Sequence, residues 1–205
     1  MPRVHTRTKS TRGRPEFPCR ACSEPIKPGE QFYTWKKRYG GTSYMHTSHG
    51  FPKPSMLSNR KTAVIEDMTQ DFPQQVESVE EISDALSAIA ETARDVGSEY
   101  EESADNMPES LQQGYQAEAM REVAQELESW ADELESWEPE NEEPTEDEAR
   151  DELQDELEAE ADYEEGDEPS EDDIQTRLSE KRDEWLSTEL DNAQDKLGEM
   201  PEYQG

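Results

Sequence analysis

Both cysteines and two of the three histidines of this chain form a pattern that strongly limits how its N-terminal part can fold. Cys19 and Cys22 are two residues apart, twenty-three residues follow, and His46 and His49 are again two residues apart. Zinc prefers four tetrahedral nitrogen or sulfur ligands, and a short gap lets both side chains of a pair face one ion. The spacing therefore predicts a structural Zn²⁺ bound by Cys19, Cys22, His46 and His49.

A metal with four protein ligands has no free position for an activated water, so it would stabilise structure without performing chemistry. The sequence also contains no HExxH, GxSxG or GxxxxGK[ST] motif. We therefore predict that the protein is not an enzyme. The alternative to a zinc site is that both cysteines are ordinary thiols and both histidines are surface residues.

The two parts of the chain carry opposite charge. Residues 1–62 contain 13 Lys and Arg against 3 Asp and Glu, whereas residues 63–205 contain 7 against 50. With 30% hydrophobic and 36% charged residues, one large core is not expected. The sequence has no long apolar run and no secretory signal, and its two cysteines are too close in sequence to join distant parts of a fold. These features predict a soluble cytoplasmic protein that has no membrane partner.

Composition and periodicity divide the chain into seven segments and predict a mainly α protein. A small zinc-stabilised β-hairpin module lies at the N-terminus, where aromatic segments flank a Gly-Gly pair. Apolar residues spaced three and four apart then predict an antiparallel helical hairpin, followed by acidic, partly disordered helices. The segments are a flexible basic arm (1–18), the zinc-binding module (19–54), a linker (55–73), the helical hairpin (74–138), an acidic low-complexity linker (139–169), an amphipathic helix (170–198) and a tail (199–205).

The basic N-terminal part has two features that suggest DNA or RNA binding. Arg12 and Arg14 lie in an Arg-Gly-Arg-Pro sequence like the core of an AT-hook, whose arginines enter the minor groove. A second cluster interleaves cations with rings that can stack on bases, and comprises Trp35, Lys36, Lys37, Arg38 and Tyr39. Strand alternation would place four side chains on one face, namely Tyr33, Trp35, Lys37 and Tyr39. The alternative is that Phe32, Tyr33 and Trp35 form the core around the metal.

The acidic C-terminal part suggests a second function. An array of carboxylates can imitate a phosphate backbone, so the helices could bind a basic protein or act as a nucleic-acid-mimic inhibitor. The alternative is a solvated surface or adaptation to salt-rich surroundings. The oligomeric state is not predicted by these features.

Two resemblances follow from these motifs. From Cys19 to His49, the paired cysteines, the Pro-Gly segment and the aromatic hairpin resemble the zinc finger of poly(ADP-ribose) polymerases, which recognises DNA breaks; that family ends in HxxC. The first 135 residues or so are more similar to uncharacterised proteins of tailed bacteriophages, through Met-Pro-Arg at the start, the Tyr33–Gly41 motif and the acidic Ser98–Ala104 segment. This resemblance implies a viral origin. It would place the protein in the host-cell cytoplasm, make the basic partner of the acidic helices a host or viral protein, and make any salt adaptation that of a salt-rich host. We therefore expect a non-catalytic viral accessory protein whose zinc module binds nucleic acid or a host protein.

Overall fold

The structure is a computed structural model that describes residues 2–9, 17–37, 40–159 and 169–201. The chain divides into two compact units, which we call unit 1 (residues 1–71) and unit 2 (residues 72–205). Unit 1 contains the three β-strands found among the described residues, and unit 2 is helical. A mainly α protein with a small N-terminal β-module is therefore confirmed.

Unit 1 is built on a three-stranded antiparallel sheet. Its strands are β1 (His5–Thr8), β2 (Gln31–Lys36) and β3 (Thr42–His46), in the spatial order β1-β2-β3. Phe32 lies opposite His46 in the β2-β3 pair. The predicted hairpin is therefore present, and its second strand returns His46 to the start of β2.

The first strand differs from the prediction of a flexible arm over residues 1–18. β1 pairs with β2 along its whole length, and Lys9 continues this connection because its N–H donates to the carbonyl of Glu30 (2.9 Å). The Lys9 side chain is buried: its ammonium donates to the carbonyl of Ile26 and lies 5.0 Å from the centre of the Phe17 ring. Backbone hydrogen bonds thus order a segment that has few apolar residues. Residues 1 and 10–16 of the predicted arm lie outside the described residues.

The predicted linker over residues 55–73 also contains regular structure. It includes most of α1 (Pro54–Leu57) and the whole of α2 (Ala63–Asp71). The carboxylate of Asp67 accepts hydrogen bonds from the N–H and the hydroxyl of Ser55, which fastens α2 to α1. These two short helices therefore belong to unit 1 and do not form a free connection.

The apolar cluster that packs beside the sheet of unit 1 is small. Its buried members are Cys19, Ile26, Phe32, Trp35, Met45 and Leu57. One of the predicted metal ligands, Cys19, is thus part of the apolar core, and its sulfur cannot move without disturbing that core.

The two long helices predicted for unit 2 are α3 (Val79–Asp105) and α4 (Tyr115–Glu135). Most residues of the predicted apolar stripes are buried, and the buried ones include Ile82, Leu86, Ile89, Val96, Tyr100, Val123, Leu127, Trp130 and Leu134. The sequence predicts a start of α4 near Pro108, but the helix begins only at Tyr115, because residues 109–113 form turns.

The two helices run antiparallel and approach closely. Arg94 in the middle of α3 pairs with Glu135 at the end of α4, whereas Asp105 at the end of α3 pairs with Arg121 near the start of α4. At the crossing lies Gly97, where a Cβ atom would be 3.3 Å from a backbone oxygen of α4. The missing side chain therefore permits this close contact.

The acidic segment predicted as a low-complexity linker over 139–169 forms a helix in its middle, α5 (Glu146–Glu158). Thr145 and Glu148 form a capping box at its start. The apolar side of α5 packs against the last helix, α6 (Glu171–Gly198), which matches the predicted range of 170–198. Residues 160–168 and 202–205 lie outside the described residues.

Candidate metal centre

Cys19 and Cys22 lie in a tight loop that precedes β2. The N–H of Ser23 donates to the carbonyl of Cys19 (2.8 Å), and the N–H of Cys19 donates to the carbonyl of Glu24 (2.7 Å). Ser23 adopts a φ of 63°, in the left-handed region that reverses the chain sharply. The loop therefore closes on itself and brings the two sulfur atoms together.

The two histidines lie at and just after the end of the second strand of the hairpin, β3. His46 is the last residue of β3, and His49 ends the 3₁₀ turn Thr47–His49 that follows. Gly50 ends this turn with a φ of 77°, and its N–H donates to the carbonyl of Thr47 (3.2 Å). The turn places the two imidazole rings with their centres 5.6 Å apart.

The four predicted ligands form one cluster. One ligand atom from each of Cys19, Cys22, His46 and His49 lies within 4.8 Å of the others. Sγ of Cys22 is 3.6 Å from Nδ1 of His46. Cys19 is buried, whereas Cys22 is exposed, so the cluster lies at the edge of the unit 1 core.

This donor set fits a tetrahedral zinc ion. Zinc binds sulfur at about 2.3 Å and imidazole nitrogen at about 2.0–2.1 Å, so a sulfur and a nitrogen on one ion are about 3.5 Å apart. The distance from Cys22 to His46 is close to that value. A cluster of two Cys and two His that can hold a metal is therefore present, as the spacing predicts.

The two thiols differ in acidity. Burial raises the pKa of Cys19, but hydrogen bonds from the surrounding backbone N–H groups, led by that of Cys22, have the larger effect. The net pKa is lowered to about 6. At Cys22 the N–H of Glu24 lowers the pKa, yet desolvation and the neighbouring Cys19 thiolate outweigh it and raise the pKa. The thiolate, which is the form that binds metals, is thus favoured first at the buried Cys19.

Glu30 is a further member of the site that the spacing of the ligands does not reveal. Its carboxylate oxygen Oε2 lies 3.5 Å from Nε2 of His46, on the ring edge opposite Cys22. The same oxygen accepts a hydrogen bond from the N–H of Lys27 (2.6 Å). Metal-binding histidines usually donate their second N–H to a carboxylate or carbonyl. The signal in the sequence is a glutamate directly before β2, at the end of the hairpin where His46 arrives.

The residues predicted to bind nucleic acid have separate positions. Trp35 is 2% exposed and donates its indole N–H to the carbonyl of Met56 (2.8 Å), so neither ring face is open to a base. Lys37 donates to two carbonyl groups near α1, and its pKa is lowered by burial and by the charge of Arg20. Lys36 is exposed. The other predicted residues, Arg12, Arg14, Arg38 and Tyr39, lie outside the described residues.

The structure thus defines a two-unit protein with an N-terminal Cys₂His₂ cluster. No family model matches the chain, and no curated protein or solved structure is significantly similar to it. The resemblances to phage proteins and to the polymerase zinc finger accordingly stay predictions from the motifs. No helix among the described residues combines the length and apolarity that crossing a membrane requires.

Proposed function

We propose that unit 1 is a non-catalytic structural-zinc module that binds nucleic acid. The observation that carries this proposal is the convergence of four ligand atoms, from two segments far apart in sequence, to within 4.8 Å of one another. With all four bound, zinc has a complete tetrahedral shell, and no position is left for substrate or water. The metal then has a structural role.

The small core explains why the module would need the metal. Among the described residues, six buried side chains form the cluster around Cys19, and a core of this size supplies little of the free energy that ordering the chain requires. Zinc binding adds directly to the free energy of folding in such domains. Because Cys19 belongs to the core and His46 ends β3, the ion would connect the core with the sheet.

Charge supports nucleic acid as the partner. Unit 1 contains 13 Lys and Arg against 6 Asp and Glu, within a chain whose net charge is −33. A cationic module in an acidic protein concentrates attraction for polyanions in one place. The wider setting, a viral accessory protein in the host-cell cytoplasm, is part of the same proposal and rests on the phage resemblance.

The test combines zinc content with binding. Full-length protein is purified, its zinc per chain is measured, and its affinity for labelled DNA and RNA is compared before and after chelation. One zinc per chain and loss of binding on chelation are expected. His49→Ala should lose the metal, whereas His5→Ala should keep it and is the matched control for zinc content alone, since His5 lies in β1 outside the cluster. Absence of zinc, or unchanged binding by metal-free protein, contradicts the proposal.

A second candidate function concerns unit 2, which contains 7 Lys and Arg against 47 Asp and Glu. All seven cations lie within 4.0 Å of a carboxylate, and they are Arg94, Arg121, Arg150, Arg177, Lys181, Arg182 and Lys196. The remaining carboxylates form an acidic surface that suits a basic protein partner or the inhibition of a nucleic-acid-binding protein. Salt-sensitive retention of one basic protein from nuclease-treated host lysate, with no affinity for nucleic acid, favours this candidate.

A further inference from the structure

A groove on one face of the unit 1 sheet is a candidate binding site separate from the metal cluster. Its volume is about 850 Å³. Residues directly opposite each other in antiparallel strands share a face, so His5, Thr34 and Tyr44 lie side by side across the three strands. Arg7 and Lys36 line the same groove from β1 and β2.

Among the described residues that line the groove, the exposed cations are Arg3, Arg7 and Lys36. Within the described part of the chain none of them forms an ion pair. The described residues that line the groove include no Asp or Glu. Unit 2 differs, because each of its cations is close to a carboxylate. A groove with such a set of cations in so acidic a protein is suited to an anion from outside the chain.

The groove also has an aromatic wall. The rings of Phe17 and Tyr44 are stacked with their centres 4.0 Å apart, and Phe32 packs against Phe17 at 5.3 Å. Phe17 and Tyr44 are half-buried, so part of each ring faces the groove. Aromatic side chains beside a row of cations are typical of surfaces that bind single-stranded nucleic acid, where rings stack on bases and cations contact phosphates.

We propose that this groove binds single-stranded nucleic acid, with Arg3, Arg7 and Lys36 contacting phosphates and Tyr44 contacting a base. This inference rests on the proposed function and adds its location and the form of the nucleic acid. A volume near 850 Å³ lies within the range of about 300–1,000 Å³ that small ligands occupy, so it admits a few nucleotides. Duplex bases stack on one another and present no free face to Tyr44.

The experiment measures fluorescence anisotropy of a labelled twelve-nucleotide thymidine strand with zinc-loaded full-length protein. A duplex of the same length is measured in parallel. We expect the single strand to bind more tightly than the duplex. For single strands each phosphate contact contributes about 0.7 to the slope of log affinity against log salt, so the variant R3Q/R7Q should lower that slope by about 1.4.

A matched control removes the same charge elsewhere in unit 1. Lys27 and Arg60 are exposed and do not line the groove, so K27Q/R60Q should keep the wild-type slope within about 0.5. Equal loss of slope in the two double variants would overturn the assignment to the groove. Equal or tighter binding of the duplex would overturn the single-strand assignment.

Tyr44 provides an independent test of base stacking. Tyr44→Leu keeps apolar bulk in the aromatic wall, and Tyr44→Phe keeps the ring. Loss of one stacked base should weaken binding by Y44L at least about fivefold with an unchanged salt slope, whereas Y44F should bind as the wild type does. Wild-type affinity of Y44L would contradict the stacking role. Zinc content is measured for every variant, so failure of the metal module is distinguished from failure of the groove.

Discussion

The carboxylate of Glu30 lies 3.5 Å from Nε2 of His46. The opposite ring nitrogen, Nδ1, faces Sγ of Cys22 at 3.6 Å. The imidazole therefore has one nitrogen toward the candidate metal position and the other toward a carboxylate. This arrangement orients the ring for a metal on its Nδ1 side.

Glu30→Gln should weaken zinc binding by about 10- to 100-fold, the usual effect of losing a carboxylate that supports a histidine ligand. The amide keeps the size of the side chain but removes its charge. The measurement is competition for zinc with a chromophoric chelator, carried out on full-length protein.

The control for this variant is Glu24→Gln, which removes the same charge from a glutamate of the cysteine loop. No contact between the Glu24 side chain and either histidine is present among the described interactions. Its zinc affinity should stay within about threefold of wild type. If E24Q and E30Q weaken binding equally, general electrostatics explains the effect and the specific role of Glu30 is wrong.

Removal of zinc should unfold unit 1 and leave the helices of unit 2 in place. The reporter is Trp35, which is buried in unit 1 and donates its indole N–H to Met56. Its indole N–H signal in an NMR spectrum should shift to the position of an unfolded chain on chelation. The signal of Trp130, which donates to the carbonyl of Lys196 within unit 2, should not move. Simultaneous loss of both signals would contradict separate folding of the two units.

Hydrogen exchange tests the order of the N-terminal segment. The N–H of Lys9 donates to Glu30, and the N–H of Gly29 donates back to Lys9, at 2.9 and 3.0 Å. In the zinc-loaded protein both amides should exchange more slowly than in an unfolded chain, because closed hydrogen bonds block exchange. Exchange at unfolded-chain rates would support a flexible arm and contradict β1.

A buried carboxylate in unit 2 should make its stability depend on pH. Glu189 is fully buried and accepts hydrogen bonds from the N–H groups of Glu140 (3.0 Å) and Asn141 (3.1 Å). Burial raises the pKa of Glu189, but the hydrogen bonds from these donors and from the Asn141 amide have the larger effect. The net pKa lies below its ordinary value of 4.5. The ionised group therefore stabilises the fold above about pH 4.5, and this contribution is lost as the pH falls through the lowered pKa.

Glu189→Gln should accordingly reduce the free energy of unfolding by about 2–4 kcal/mol at pH 7, since charged hydrogen bonds to buried donors are lost. Its deficit relative to wild type should shrink as the pH falls below about 4.5. Urea unfolding followed by helical circular dichroism measures both. Glu184→Gln, at an exposed position of α6, is the control and should remain near wild type. A deficit of Glu189→Gln that does not vary between pH 3 and 7 would contradict the account.

The features that depend on local pattern could be predicted. The apolar spacing identifies α3 and α4, and Ser170 and Gly198 mark the ends of α6 through capping preferences. The ligand pairs at two-residue spacing, joined by a hairpin, predict a cluster that the structure confirms. In each case, neighbouring residues in the sequence carry the information.

The features that depend on distant contacts could not be predicted in this way. β1 has four exposed residues and is held by backbone pairing with β2, which leaves no apolar alternation to detect. The acidic helix α5 packs its apolar side on α6, and Arg177 and Lys181 of α6 pair with its carboxylates. Its capping box is nevertheless a local signal that identifies the start at Thr145.

The position of Trp35 shows the same dependence. Alternation places it on one face of β2, but that face is covered because α1 supplies the carbonyl of Met56 above the indole. The sequence predicts a linker for most of the segment containing α1, so it gives no sign of this covering role. The exposed cations that line the groove lie on and beside β1 and at Lys36 instead.

The most direct test of the central claim is zinc K-edge X-ray absorption of purified full-length protein, together with a count of metal per chain. We predict one zinc ion whose first shell contains two sulfur atoms at about 2.3 Å and two nitrogen atoms at about 2.0–2.1 Å. A chain without stoichiometric zinc, or a first shell that lacks sulfur, would contradict the assignment of Cys19, Cys22, His46 and His49 as its ligands.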